Sequence, residues 1–166
     1  MDTIDKAQWF AAWHHRYQKY GNDPYFYHLG QVAAVLGEFN IDSKNLLAAA
    51  WLHDILEDTE VTKTTLLSEF GPNIFYLVDC VTGEGETRKV RNQSIYAKID
   101  RNSAPAILKV ADRIANVRNC KIASSLYQMY RNEYYEFRKA IYTETCNTPL
   151  NQMWETLDKL MEYSGD

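Results

Sequence analysis

Apolar residues recur along the chain at intervals of three and four rather than two, and only seven glycines and four prolines interrupt them. That period predicts helix almost throughout. A first helix runs from Ile4 to about Gln18 and is closed by the breakers Gly21, Asn22, Asp23 and Pro24 in "YGNDPYFY". A second spans about His28 to Glu38, and a third, capped by Asp42 or Ser43, continues through Leu56. Thr62 opens a short helix that Gly71 ends, and Pro72 stands in the first turn of the next, where its missing N–H is harmless. "TGEGET", residues 82–87, reads as the loosest stretch. Helices resume from Arg88 to about Asp100, from Ser103 and Pro105 through "APAILKVADRIANVRNCKIA", from Leu126 to Thr143, and, after Thr148 and Pro149, from about Leu150 to Tyr163. With no repeat, low-complexity tract or linker, the expected fold is all-α, one domain over residues 1–166 with about eight to ten helices.

The third helix departs from ordinary amphipathic patterning. Leu46 to Leu52 is apolar on every side, as in a helix packed all round, and is followed at once by His53, Asp54, Glu57 and Asp58. Residues four apart share a face, so one helical turn gathers an imidazole and three carboxylates. Carboxylates near a helix C-terminus meet the negative end of its dipole, and burying several together adds desolvation and mutual repulsion. A divalent cation removes both objections, and a set of His and Asp suits Mn²⁺, Fe²⁺ or Zn²⁺.

Further ligands must come from elsewhere, and the chain has only four histidines. His28, at a helix start after the tyrosine-rich turn, reads by itself as a hydrogen-bonded helix-start imidazole or as a ligand pointing into a shared cavity. His14 and His15 diverge by about 100° on a helix and read as surface or capping residues. Asp112, in the apolar setting "AILKVADRIANV", reads as the partner of Arg113 or Lys109, or as an oxygen ligand.

Composition narrows the remaining classes. No apolar run approaches the ~20 residues that cross a bilayer, and "MDTIDKAQWF" lacks a basic start and an apolar signal segment, so a cytoplasmic protein without a membrane role is expected. A net charge of −4 gives no general footprint for nucleic acid. The basic clusters "TRKVRNQ" and "ADRIANVRNCK" are short and read first as solvated helix faces, with local phosphate binding as the other reading. Cys80, Cys120 and Cys146, odd in number and widely spaced, read as buried free thiols.

The four acids and histidines, in the order H…HD…D, match the metal-binding signature of the HD phosphohydrolase superfamily. More closely, "LLAAAWLHDILEDTEVTKTTLLSEFGPNIFYLVDCVTGE" resembles the hydrolase domain of the RelA/SpoT alarmone family, as do "GNDPYFYHLGQVAAVL" upstream and "ILKVADRIANVRN" downstream. The resemblance covers residues 13 to 120 directly, and the tail, helical over 124–163, is similar to the ending of small stand-alone alarmone hydrolases. It implies an HD-domain helical fold in which His28, His53, Asp54 and Asp112 hold Mn²⁺, or another divalent transition metal, while Glu57 and Asp58 orient and deprotonate the attacking water. It further implies that Asn116 and Lys19 contact the nucleotide. Arg16 and Arg113 are further candidates for the substrate's charge, and Tyr25 for walling its base or ribose. Two positions depart from the family pattern: Tyr20 replaces a base, and Leu29 stands where Pro is usual.

The implied reaction is removal of the 3′-pyrophosphate of guanosine tetra- or pentaphosphate. Related readings keep the metal and change the nucleotide to NADPH, an adenosine alarmone or a deoxynucleotide monophosphate. A regulator that binds nucleotide without turnover is the reading from a different class. The partner is a small nucleotide; a homo-oligomer is compatible with the sequence but not specified by it.

Overall fold

A computed structural model of the chain describes residues 1–122, 124–146 and 148–163. Helix α1 (Thr3–His14) starts at Asp2, whose carboxylate accepts the Thr3 N–H, and leads into a two-stranded antiparallel hairpin, β1 (Lys19–Tyr20) and β2 (Asp23–Pro24). Lys19 pairs with Pro24 and Tyr20 with Asp23, and Gly21 takes the positive φ (60°) of the turn between them. The first helix thus ends four residues earlier than its periodicity predicts, because residues 15–18 bend into the hairpin. Helix α2 (Tyr25–Glu38) begins directly after Pro24.

Helix α3 (Lys44–Leu52) is capped by Ser43, whose hydroxyl accepts the Leu46 N–H. The predicted continuation through Leu56 is interrupted: the backbone leaves helical values at Asp54 (φ −100°, ψ 3°) and a single turn, α4 (Ile55–Asp58), follows. Helix α5 (Lys63–Val81), capped by Thr62, bends at Gly71 (φ 74°, ψ 173°), so that Pro72 opens its second half as the sequence suggests. Then come α6 (Arg88–Lys98), α7 (Ala104–Asn119), α8 (Ser125–Ile141) and α9 (Thr148–Leu160). The predicted last residue of the α7 helix, Ala123, and Asn147 before α9 lie outside the described residues.

α7 lies at the centre. It packs against α2, α3, α5, α8 and α9 and is buried around most of its circumference, from Pro105 to Val117. α3 lies against α1, α2, α5 and α7; its Ala48, Ala49 and Ala50, with Ala7 and Ala11 of α1, are small enough to let helices approach closely. One contiguous apolar cluster runs from Ala7 to Met161, with Phe137 and Trp154 among its largest members. Burial of this kind is the main stabilising term of such a fold.

Two expectations change. "TGEGET" is tied down: Gly83 and Glu84 donate backbone N–H bonds to Glu57 and Ser94, and a Cβ at Gly83 would stand 2.7 Å from that of Arg91. The cysteines are all free, but only Cys80 is buried, while Cys120 is half-buried and Cys146 exposed. Among the described residues, no helix is long and apolar enough to cross a membrane.

Candidate metal centre and cleft

Three helices and one helix break converge on a single point. His28 sits in the first turn of α2, His53 ends α3, Asp54 occupies the break and Asp112 lies midway along α7. Side chains of consecutive residues on an unbroken helix diverge by about 100°, so His53 and Asp54 could not face one point from a continuous α3. With the break, Asp54 Oδ2 comes within 3.0 Å of His53 Nε2 and 3.8 Å of His28 Nε2. Asp112 Oδ1 is 3.4 Å from His28 Nε2 and 3.6 Å from His53 Nε2. One ligand atom from each of His28, His53 and Asp112 falls within 4.8 Å of the others, and all three residues are buried; Asp54 adjoins this group.

His53 Nδ1 lies 2.9 Å from the Ala50 carbonyl, which requires the proton on Nδ1 in the neutral ring. Nε2 is then left buried, without a hydrogen-bond partner, beside two carboxylates. Burial opposes charge on all of these groups, and it is overcome by mutual attraction: Asp54 and Asp112 hold His53 well above the usual imidazole range, while Lys109 and the two histidines hold Asp112 well below the carboxylate range. Orphaned nitrogen and clustered carboxylates fit a divalent transition metal, which would supply the positive charge that the imidazoles otherwise provide. Asp112 is thus the partner of Lys109, one of the two readings of the sequence, and it also stands in the group that could hold a metal. Its Oδ2 accepts from Lys109 Nζ at 2.9 Å while Oδ1 faces the histidines.

The cluster forms the floor of a cleft of about 330 Å³, lined beside it by Glu57, Asp58, Tyr20, Tyr25 and Asn116. Glu57 Oε1 accepts the Gly83 N–H at 2.5 Å; partial burial, reinforced by the charges of Asp54 and Asp58, raises its pKa. Asp58 Oδ2 accepts from Gln18 Nε2 at 2.7 Å. Tyr25 donates to Asp54 Oδ2, and burial together with that carboxylate pushes its hydroxyl pKa far up, so it stays a donor. Asn116 Nδ2 donates to Asp112 Oδ1 at 2.6 Å.

Arg88 and Arg91 of α6 and Arg113 of α7 also line the cleft, while Lys109 of α7 reaches it already paired with Asp112. Arg113 is held between aromatic faces, 4.9 Å from the Tyr130 ring and 4.4 Å from that of Phe137, and Glu133 pairs with both Arg88 and Arg113.

The structure gathers His28, Asp54, Glu57, Asp58, Asp112, Arg113, Asn116 and Tyr25 in the lining of this cleft, with His53 buried beside Asp54 and Asp112, but not Lys19 or Arg16. Neighbours on a strand face opposite ways, so with Tyr20 turned inward Lys19 points to solvent. Arg16 donates to the Trp13 carbonyl and lies over the Trp13 and Tyr17 rings. His15, read as a surface or capping residue, is the C-cap of α1 but is buried. Sequence reasoning did not single out Arg88 and Arg91, reading their cluster first as a solvated face and only second as a local phosphate site. The available signal was Ile95, which is buried and shares their face at helical spacing.

The sequence matches the HD domain family over residues 7–145. The chain belongs to that family. This HD domain is 34% identical over 124 residues to the GTP pyrophosphokinase rsh of Brucella melitensis, a match covering 69% of this chain and 16% of that protein. It is 30% identical over 190 residues to the guanosine-3′,5′-bis(diphosphate) 3′-pyrophosphohydrolase of Aquifex aeolicus, covering 98% of this chain and 27% of that protein. The HD domain thus spans between a sixth and about a quarter of the length of these two curated relatives. A solved metazoan SpoT ortholog, described as hydrolysing ppGpp, superimposes with a TM-score of 0.81 at 23% identity, over 99% of this chain and 97% of that one. A Listeria monocytogenes protein gives 0.67 at 20% identity over 85% and 98%. These likenesses establish the fold as the all-α HD domain fold.

Proposed function

We propose that the chain hydrolyses the 3′-pyrophosphate of guanosine tetra- or pentaphosphate, releasing pyrophosphate and GDP or GTP, with Mn²⁺ as the metal. The carrying observation is one cleft that brings a buried His28, His53 and Asp112 cluster, with Asp54 beside it, together with the arginines Arg88, Arg91 and Arg113. The name of the Aquifex relative supports the guanosine alarmone as the nucleotide, and that of the Brucella relative supports a guanosine nucleotide.

In this reading His28, His53, Asp54 and Asp112 hold the metal. The chemistry a divalent cation supplies there is Lewis acidity, which makes a water more acidic and offsets charge on a phosphoryl oxygen. Glu57, its carboxyl raised toward neutrality by burial, accepts a proton from the attacking water, and Asp58 orients it. The water oxygen bonds to the phosphorus attached to the ribose 3′ oxygen; the P–O3′ bond breaks and the 3′ oxygen takes up a proton. The three arginines face the diphosphate and compensate its charge before and during transfer.

Incubating the Mn²⁺-loaded protein with guanosine tetraphosphate and resolving products by ³¹P NMR tests the proposal. Pyrophosphate and GDP are expected, with turnover lost on chelation and reduced by at least about 10³-fold in Asp54→Ala. Hydrolysis that survives either change, or orthophosphate released from a 5′ position, overturns it.

A further inference from the structure

Two of the cleft's acids stand on elements that cannot orient them unaided. Asp54 and Asp58 belong to a helix break and a four-residue helix, far below the ~12–15 residues at which an isolated helix becomes stable. Their fixed positions must come from outside, and the contacts lead to one segment, residues 15–25.

Three hydrogen-bond routes leave that segment. Gln18 Nε2 donates to Asp58 Oδ2 at 2.7 Å, while its Oε1 accepts from His15 Nδ1 at 2.6 Å, so the amide is oriented at both ends. Tyr25 Oη donates to Asp54 Oδ2 at 2.5 Å. Tyr20 Oη donates to Asn116 Oδ1 at 3.0 Å, and Asn116 Nδ2 passes the hold on to Asp112 Oδ1. Ring contacts stiffen the arrangement: Tyr20 stacks on His28 at 4.7 Å and 17°, and His15, 2% exposed, stacks on Tyr25 at 5.0 Å and 26°. The Tyr25 N–H also donates to the Gln18 carbonyl, tying the two ends of the segment together.

We propose that residues 15–25 form a buttress in which Gln18, Tyr20 and Tyr25, anchored by His15, are positioning residues: the two tyrosines fix the metal-facing acids and Gln18 fixes Asp58. The hairpin therefore acts on the site through neutral hydrogen bonds and stacking. At position 20 an aromatic hydroxyl takes over a place in which the resemblance leads one to expect a cation. Gln18's part rests on the hydrolase reading, whereas the tyrosines' part requires only that the site binds a divalent metal.

The test separates metal affinity from turnover. Calorimetric titration with Mn²⁺ is expected to show Tyr20→Phe and Tyr25→Phe each binding about 10-fold more weakly than wild type, since partners of metal ligands contribute about 10–100-fold. Tyr20→Phe combined with Asn116→Ala should bind no more weakly than Asn116→Ala alone, because both interrupt one chain. Gln18→Met, of similar shape and without hydrogen bonds, should keep Mn²⁺ affinity within about threefold and lose about 10–100-fold in kcat with KM within about threefold. General loosening would lower all of these quantities together. Thermal melts check folding, and Gln18→Glu, which sets a second carboxylate against Asp58, provides the same kcat readout should the Met variant unfold. Wild-type Mn²⁺ affinity in both Phe variants overturns the tyrosines' role, and a change in KM alone in the Gln18 variants overturns that of Gln18. A wild-type protein that binds Mn²⁺ but turns over no nucleotide overturns the hydrolase reading together with Gln18's part, while the calorimetry still decides the tyrosines.

Discussion

Glu57 carries a tension between stability and chemistry. Its pKa is raised, chiefly by burial and further by Asp54 and Asp58, so the folded chain holds this proton more tightly than the unfolded chain does. Stability must then fall as pH rises from the ordinary glutamate range through the raised value, and above that window the carboxylate is a standing cost. An amide at this position can still accept the Gly83 N–H but carries no charge. Metal-free Glu57→Gln should therefore melt about a degree or two above wild type at pH 7–8, a modest gain because the side chain borders water, with the gap closing below the carboxylate range. The same variant should lose about 10²–10⁴-fold in turnover. Thermal melts across pH and a product assay check both halves; a melting gap that widens on acidification would contradict the first. Single residues of this kind were legible in the sequence where composition isolates them: few histidines, and charges placed directly after an apolar run. His15 and Gln18 were not, because a hydrogen bond to Asp58 across 40 positions leaves no local trace.

Elements were legible where the chain encodes its own punctuation. Gly71 and Pro72 announce the bend within α5, and Ser43 and Thr62 announce helix starts. The break between α3 and α4 has no such mark. "AAAWLHDILED" contains neither glycine nor proline, and the break coincides with the approach of Asp54 to His28 and His53, a tertiary contact with no local signal. Glycine also misled in "TGEGET", where its freedom serves close packing and a special backbone angle instead of mobility. Gly85 has φ 133°, and a Cβ there would lie 2.4 Å from Val90 Cγ1. Gly85→Ala should cost about 1–3 kcal/mol, a loss of several degrees in melting temperature, and should displace Gly83 from Glu57. An unchanged melting curve would show that the loop yields without strain.

At the scale of the molecule the cleft has two chemical sides, one of acids and imidazoles and one of arginines. The periodicity of α6 and α7 foretold both helices but not that they would present Arg88, Arg91 and Arg113 to one cavity; that depends on how α8 packs. Arg88→Ala should raise KM about tenfold with kcat within about threefold and Mn²⁺ affinity unchanged, the pattern of lost ground-state binding. Loss of metal affinity in this variant would mean that the two sides are not separable. Glu133, which clamps Arg88 and Arg113, and Phe137, which covers Arg113, both belong to α8. On a ribosome, then, the two sides mature at different times. All four candidate ligands and both candidate acids have been synthesised once residue 112 is made, whereas the groups that hold the arginines in place follow more than twenty residues later. A nascent chain would acquire the means to capture a metal before the means to recognise a phosphate.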